Sequence, residues 1–367
     1  MKHYILFIWG VLISTFVFGQ NSKYQEFFVG TYTSEGAEGI NLCKLNTETG
    51  EINLENTFTG IENPSFVRLS PNKKFLYAVS EAGDAGSFVY AYEVVNNELK
   101  FLNKQSSNGQ GPCHVDVSSK GSYVAVACYG GGTTSIYPVL KNGRLMEAFI
   151  TNVNSGTGPV KDRQAKPHAH SIKFSPFESL VFSADLGTDQ LDIYQLNFGG
   201  LKKAEQKFVK LPPGSGPRHF DFHPNGKVIY VINELNSTVS AIRKEGNDWK
   251  VFQNISTLPK DFKGESYCAD IHVSKDGKYV YGSNRGHNSI AVFEVNAADQ
   301  SLKLLETVSV EGNWPRNFGI TPDGNQMLVA NQRSSNITVF NIDKETGRLE
   351  FTGKEIKLPA PVCIEFL

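Results

Sequence analysis

Six segments of the chain repeat one pattern: a short alternating strand, a turn opened by Ser, Thr or His, and a second apolar strand. They read FVRLSPNKKFLYAVSE from Phe66, HVDVSSKGSYVAVACY from His114 and SIKFSPFESLVFSADL from Ser171. HFDFHPNGKVIYVINE follows from His219, DIHVSKDGKYVYGSNR from Asp270 and NFGITPDGNQMLVANQ from Asn317. The turns open at Ser70, Ser118, Ser175, His223, Ser274 and Thr321, at intervals of 48, 57, 48, 51 and 47 residues. Between units lie further alternating stretches, such as VYAYEVVNNELKF and ITVFNIDKETGRLEF. About four strands in about 50 residues is the unit of a propeller blade.

The two ends complete the count. The last unit has only its first strand, preceded by Pro361 as Pro64, Pro112, Pro217 and Pro315 precede theirs. The N-terminal part lacks that strand and begins with FFVGTYTS, which resembles a second strand, followed by GINLCKLNTETGEI. Joining the two ends makes a seventh blade and leaves no free sheet edge. The expected fold is therefore all-β, a seven-bladed β-propeller of four-stranded blades. An open solenoid would need capping repeats, and none is visible.

The first 19 residues stand outside this domain of 20–367. Lys2 and His3 precede an uncharged run from Tyr4 to Phe18, 15 residues long. That is short of the ~20 a membrane span needs. Val17 and Gly19 set small residues before a cut ahead of Gln20, so 1–19 reads as a secretory signal peptide and the mature protein as exported, with no membrane segment. No cysteine follows the cut closely enough for a lipid anchor. With 36 Lys+Arg against 37 Asp+Glu, the chain lacks the basic surplus of a nucleic-acid binder.

Five cysteines, Cys43, Cys113, Cys128, Cys268 and Cys363, show no CxxC spacing, so no zinc site is expected. Cys113 with Cys128 is the candidate pair if an exported chain forms one disulfide, but the favoured reading is that most of the five are small buried residues in strands. The recurrent SPN, SKD, TPD and HPN triplets are turn formers rather than chemistry. Gly130-Gly131-Gly132 lacks the context of a phosphate loop and reads as a turn.

In a repeat architecture, function sits where equivalent positions carry non-interchangeable residues. Five residues before each turn opener stand Ser65, Cys113, His170, Arg218, Ala269 and Arg316. Eleven after it stand Glu81, Tyr129, Leu186, Glu234, Arg285 and Gln332. The two strands form an antiparallel hairpin, so both rows belong at one end, and the innermost strands line the central channel. His170, Arg218, Glu234, Arg285, Arg316 and Glu81, with His168, Asp185, His219 and Arg333 close by, are thus expected around one channel mouth. So many cations in one concavity call for an anionic ligand. His114, His223 and His272 read as structural, while His287, two residues after Arg285, is placed near the mouth.

PHAHSIKF (167–174), ADLGTDQLDIY (184–194), GSGPRHFDFHPNGKVIYVINEL (214–235) and GSNRGHNSIAVFEV (282–295) resemble the seven-bladed β-propeller lactonase family. That family includes propeller-type 6-phosphogluconolactonases and a fungal carboxymuconate cyclase. The resemblance spans about 24–367. It implies a metal-independent lactonase without cofactor, with catalytic residues His170, Arg218, Glu234 and Arg285, four positions the repeat count also isolates.

The chemistry agrees. Lactone hydrolysis needs a base for water and donors for the developing oxyanion. His170 or Glu234 supplies the first, Arg218 and Arg285 the second, and no GxSxG elbow offers a serine nucleophile. His168, His219, Asp185, Arg316, Arg333 and Glu81 are the substrate-binding candidates. The expected partner is a small anionic sugar lactone, 6-phosphogluconolactone foremost. Another anionic sugar lactone or a non-catalytic carbohydrate- or protein-binding propeller are the alternatives, since export sits poorly with a cytoplasmic sugar phosphate.

Overall fold

Apolar side chains on both sides of a strand mean that both faces must be covered, and the second strands here are of that kind. In VIYVI (228–232), Val228, Tyr230 and Ile232 pack toward one neighbouring sheet while Ile229 and Val231 pack toward the other. The computed structural model, which describes residues 23–83, 87–197 and 200–367, arranges this into seven four-stranded antiparallel sheets. Seven apolar clusters lie one between each adjacent pair. Each sheet is thus half of two cores, which a ring provides and an open stack denies to its end sheets. The expected signal peptide, residues 1–19, lies outside the described residues.

The sheets are numbered here by their innermost strands: Val67–Leu69 (blade 1), Pro112–Val117 (2), Ala169–Phe174 (3), Pro217–Phe222 (4), Tyr267–Val273 (5), Pro315–Ile320 (6) and Pro361–Phe366 (7). Blade 7 is the expected composite. Strand Pro361–Phe366 pairs antiparallel with Tyr24–Thr31, which continues into Ile40–Asn46 and Ile52–Phe58. The turn openers behave as turn formers. The hydroxyls of Ser70, Ser118, Ser274 and Thr321 each accept the backbone N–H five residues on, at 2.9–3.0 Å. Gly277 at φ 75° takes the left-handed position such a turn requires, a place held in blade 1 by Lys73 at φ 59°.

The innermost strand of each sheet has an edge facing the channel, whose N–H groups need partners. Side chains of the preceding blade supply many of them. Asp116 accepts Phe174 N–H at 2.9 Å, Asp221 accepts Val273 N–H at 3.0 Å, and Glu365 accepts Leu69 N–H at 2.8 Å. Asn317 Oδ1 accepts Ile364 N–H at 2.7 Å. Arg68 bridges Asp116 (3.3 Å) and Glu365 (3.1 Å), and Lys173 pairs with Asp221 at 3.2 Å. Most of these groups sit two residues before a turn opener, toward the end of the channel remote from the expected mouth. There Arg68, His272 and Glu365 border one groove.

Candidate active site at the channel mouth

The innermost strands are not regular where they begin. In blades 2, 3, 4, 6 and 7 the pairing register skips one residue: Cys113, His170, Arg218, Arg316 and Val362, respectively. A β-bulge leaves its extra residue unpaired and re-aims its side chain. The position five before the turn opener is therefore a bulge position in these blades, and it delivers His170, Arg218 and Arg316 to one mouth. The exit row arrives from the paired strand, one residue past its end for Glu81, Tyr129 and Glu234.

Glu234 is the hub. Its Oε2 lies 3.1 Å from Arg218 Nε and 2.8 Å from Arg285 Nη2, and its Oε1 is 2.6 Å from Arg163 Nη2. Burial alone would raise its pKa. The guanidinium groups of Arg285, Arg218 and Arg163 more than offset that and hold it down at about 2. Arg218 is 2 % exposed, and burial with repulsion from Arg285 and Arg316 brings it down to about 9, so it remains charged at neutral pH. The Nε of Arg218 meets the carboxylate at ion-pair distance but without hydrogen-bond alignment.

Arg163 was not among the sequence candidates. It sits on the four-residue helix Lys161–Gln164 between blades 2 and 3, within the single long interval of the repeat, 57 residues, which was the available signal. Its Nη2 also reaches the Tyr129 hydroxyl at 3.3 Å.

Four rings fill the mouth on the side of blades 2 to 4. His170 stands edge-on to Tyr129 (5.4 Å between centroids) and to His219 (5.5 Å), and His168 stacks on Tyr129 at 4.3 Å. His168 Nδ1 is 2.8 Å from the Tyr129 carbonyl. Burial first, then the Arg218 charge, the adjoining His219 ring and the Arg316 charge, push His170 well below the ordinary imidazole value, so it is neutral at pH 7. His219 is lowered to about 4, by burial first and Arg218 second, despite Asp270 bonded to its Nδ1 at 2.7 Å.

Across the mouth Glu81 accepts the Tyr32 hydroxyl at 2.8 Å, and the Arg316 guanidinium lies 5.3 Å from the centre of the Tyr32 ring. Tyr32 occupies the exit position of the composite blade, one residue past Tyr24–Thr31, so carrying the repeat count through the split blade would have found it. Among the described residues Arg316 forms no ion pair. Arg333 is exposed and covers Trp314 at 3.4 Å, with Arg285 5.4 Å from the same ring. The mouth thus holds Arg163, Arg218, Arg285 and Arg316 against Glu234 and Glu81.

Other candidates sit apart from this group. Asp185 is fully buried and accepts the N–H groups of His168 (2.8 Å) and Gly187 (2.9 Å) and the Asn154 amide (2.6 Å), tying down the loop that carries His168. His287 bonds Ser289 at 2.7 Å and packs on Phe262, away from the guanidinium cluster. All five cysteines are free and buried, as the favoured reading has them, and the candidate pair Cys113 and Cys128 forms no disulfide. The bulge is the reason. Cys113 turns to the mouth, 3.8 Å from His170 Nδ1, while Cys128 packs in the core between blades 1 and 2. No cluster of three or more His, Cys, Asp or Glu suited to a metal occurs among the described residues.

The family described as Lactonase, 7-bladed beta-propeller, matches residues 26–366. The chain belongs to this family. Within it, the chain is 39 % identical over 344 residues to a Bacillus subtilis protein named 6-phosphogluconolactonase, covering 93 % of this chain and 97 % of that one. A Formosa agariphila protein of the same name is 38 % identical over 341 residues, covering 90 % and 96 %. The solved structure of a Pseudomonas aeruginosa periplasmic gluconolactonase superimposes with a TM-score of 0.88 at 29 % identity, covering 94 % of this chain and 99 % of that one.

Proposed function

We propose that the protein is an exported lactonase that opens 6-phosphogluconolactone to 6-phosphogluconate at this mouth without a metal. The observation that carries the reading is the neutral His170 beside a guanidinium cluster that Glu234 only partly neutralises. A neutral imidazole offers a lone pair to water. His170 takes the proton as water adds to the lactone carbonyl, and Arg218 and Arg285 donate to the developing oxyanion. Collapse breaks the bond to the ring oxygen, which receives the proton from His170 to become the alcohol, and the new carboxylic acid releases its own proton to solvent, so the product leaves as a hydroxy carboxylate. Glu234, ionised and held among three arginines, is a poor base and serves to fix the arginines.

Arg163, Arg218, Arg285 and Arg316 outnumber the carboxylates of Glu234, Glu81 and the deeper Asp270, and this cationic excess suits an anionic substrate such as a phosphate ester. Arg316, with Arg333 farther out, is the phosphate grip; His168 and Glu81 complete the wall. The relatives named 6-phosphogluconolactonase support this substrate. Export rests on the apolar run at Tyr4–Phe18, and the periplasmic gluconolactonase among the structural relatives supports it and favours a second reading, an unphosphorylated sugar lactone.

The test is hydrolysis of 6-phosphoglucono-δ-lactone by residues 20–367, coupled to 6-phosphogluconate dehydrogenase and corrected for spontaneous opening. Glucono-δ-lactone runs in parallel, with His170→Ala and chelator-treated protein. Acceleration that survives chelator and disappears in His170→Ala is expected. Preference for the unphosphorylated lactone would select the second reading, and loss in chelator would remove the metal-free mechanism.

A further inference from the structure

We propose that Asp270 and His219 act as a positioning pair that sets the orientation of Arg218 in the mouth; the inference rests on lactone hydrolysis at that mouth. Asp270 is 3 % exposed and lies deeper in the channel, beneath the arginine cluster. Its Oδ1 is 2.7 Å from His219 Nδ1. Its Oδ2 is contacted by His272 Nε2 at 3.0 Å, by the Asn317 amide at 2.5 Å and by Phe318 N–H at 3.4 Å.

An ionised carboxylate can only accept, so His219 must donate from Nδ1. The Nε2 lone pair is then the atom presented to Arg218, whose Nη1 lies 3.4 Å away and also donates to the Ala269 carbonyl at 2.6 Å. These two acceptors hold one edge of the guanidinium. Glu234 holds it less directionally, since the contact at Nε is out of line for a hydrogen bond. Nη2 carries no hydrogen bond among the described residues and is left to meet a developing oxyanion. With the opposite tautomer, an Nε2–H would face an Arg N–H, donor against donor, and that edge of the hold would be lost.

The buried carboxylate therefore acts on the reaction through two intermediaries without touching substrate. Burial tends to raise Asp270, but His272 and His219 bring it well below the usual carboxylate range, which keeps it an acceptor throughout the working range of pH.

Two measurements test the pair. Long-range ¹⁵N–¹H spectra of the unmutated protein should show His219 as the neutral Nδ1–H tautomer at pH 7; an Nε2–H tautomer or an imidazolium would overturn the proposal. This arm is independent of turnover, so it judges the pair even if no lactone is opened and the hydrolysis reading falls. In kinetics, Asp270→Asn should lower kcat by about 10- to 100-fold with KM nearly unchanged. In an Arg218→Ala background the same substitution should cost less than about 2-fold further, because its effect passes through Arg218. Losses that multiply in full would refute the chain of action. If Asp270→Asn does not fold, His219→Gln carries the same cycle, with the same expected and refuting outcomes.

Discussion

The two ends of the channel are built from the same row of strands yet treat charge in opposite ways. At the remote end, Arg68 sits between Asp116 and Glu365, and Lys173 meets Asp221. Asp116, Asp221 and Glu365 also accept a backbone N–H from the next blade. Charges there answer one another and stitch the ring. At the mouth, four arginines converge where two carboxylates stand, and one carboxylate, Glu234, is shared by three of the four. Charge that is internally answered serves closure of the fold. Charge left in surplus at the mouth is what an anionic ligand would answer.

Substitutions at the two ends should separate the two roles. The largest effect is expected from His170→Ala, a loss of about 10²–10⁴ in kcat with thermal unfolding almost unmoved; unchanged turnover in folded protein would take the chemistry away from the mouth. Arg68→Ala should do the converse. It leaves Asp116 and Glu365 short of a cation and should lower stability by about 2 kcal/mol, less than the 3–5 of a fully buried pair because the Arg68 side chain is 34 % exposed. Its turnover should stay within about 2-fold, and a catalytic defect with normal stability would erase the distinction between the ends. Arg316→Ala should shrink the preference for phosphorylated over unphosphorylated lactone by about 10-fold while sparing the unphosphorylated substrate. Equal losses on both would move the phosphate grip elsewhere.

The smallest effect concerns acid. Burial first, and neighbouring cations next, hold His114, His170 and His219 below the ordinary imidazole value, with His219 at about 4. Below pH ~6.5 the unfolded chain binds protons that these folded residues refuse. Their contribution is therefore whole above that value and declines as pH falls toward 4. His272 runs the other way: burial opposes its charge, but Asp270 and Asp221 raise it, so its contribution is whole below pH ~6.5 and lost as pH rises through the raised value. Three residues outweigh one. The urea midpoint should drop between pH 7 and pH 5, and His219→Gln should reduce that drop; equal midpoints at the two pH values would contradict the buried neutral histidines.

Blade count, ring closure and the composite seventh blade were legible because each is a property of spacing, and spacing survives in a linear string. The pairing of the N- and C-terminal strands follows from what each end lacks. The mouth was legible in part, for the same reason: Arg218, Glu234 and Arg285 fall on repeat-equivalent positions. Arg163 was not, because it lies in an insertion that obeys no repeat. Asp270 was not legible either: it lies one residue farther in, in a row where His219 alone stood out as a candidate and Ser171 and Asn317 look like ordinary strand residues.

Periodicity, the number of blades, the end at which the polar residues gather and the family to which the chain belongs are all properties of the order of residues along the chain. Tertiary structure alone decided where single side chains point. Bulges in the innermost strands turn Cys113 away from Cys128 and bring His170, Arg218 and Arg316 into the mouth. The local register turns Asp185 into its own loop and leaves Asp270 beneath His219. The physical reason is that a strand alternates its side chains with a period of two, so one unpaired residue reverses the alternation from that point on. Residue identity carries no mark of where that reversal occurs.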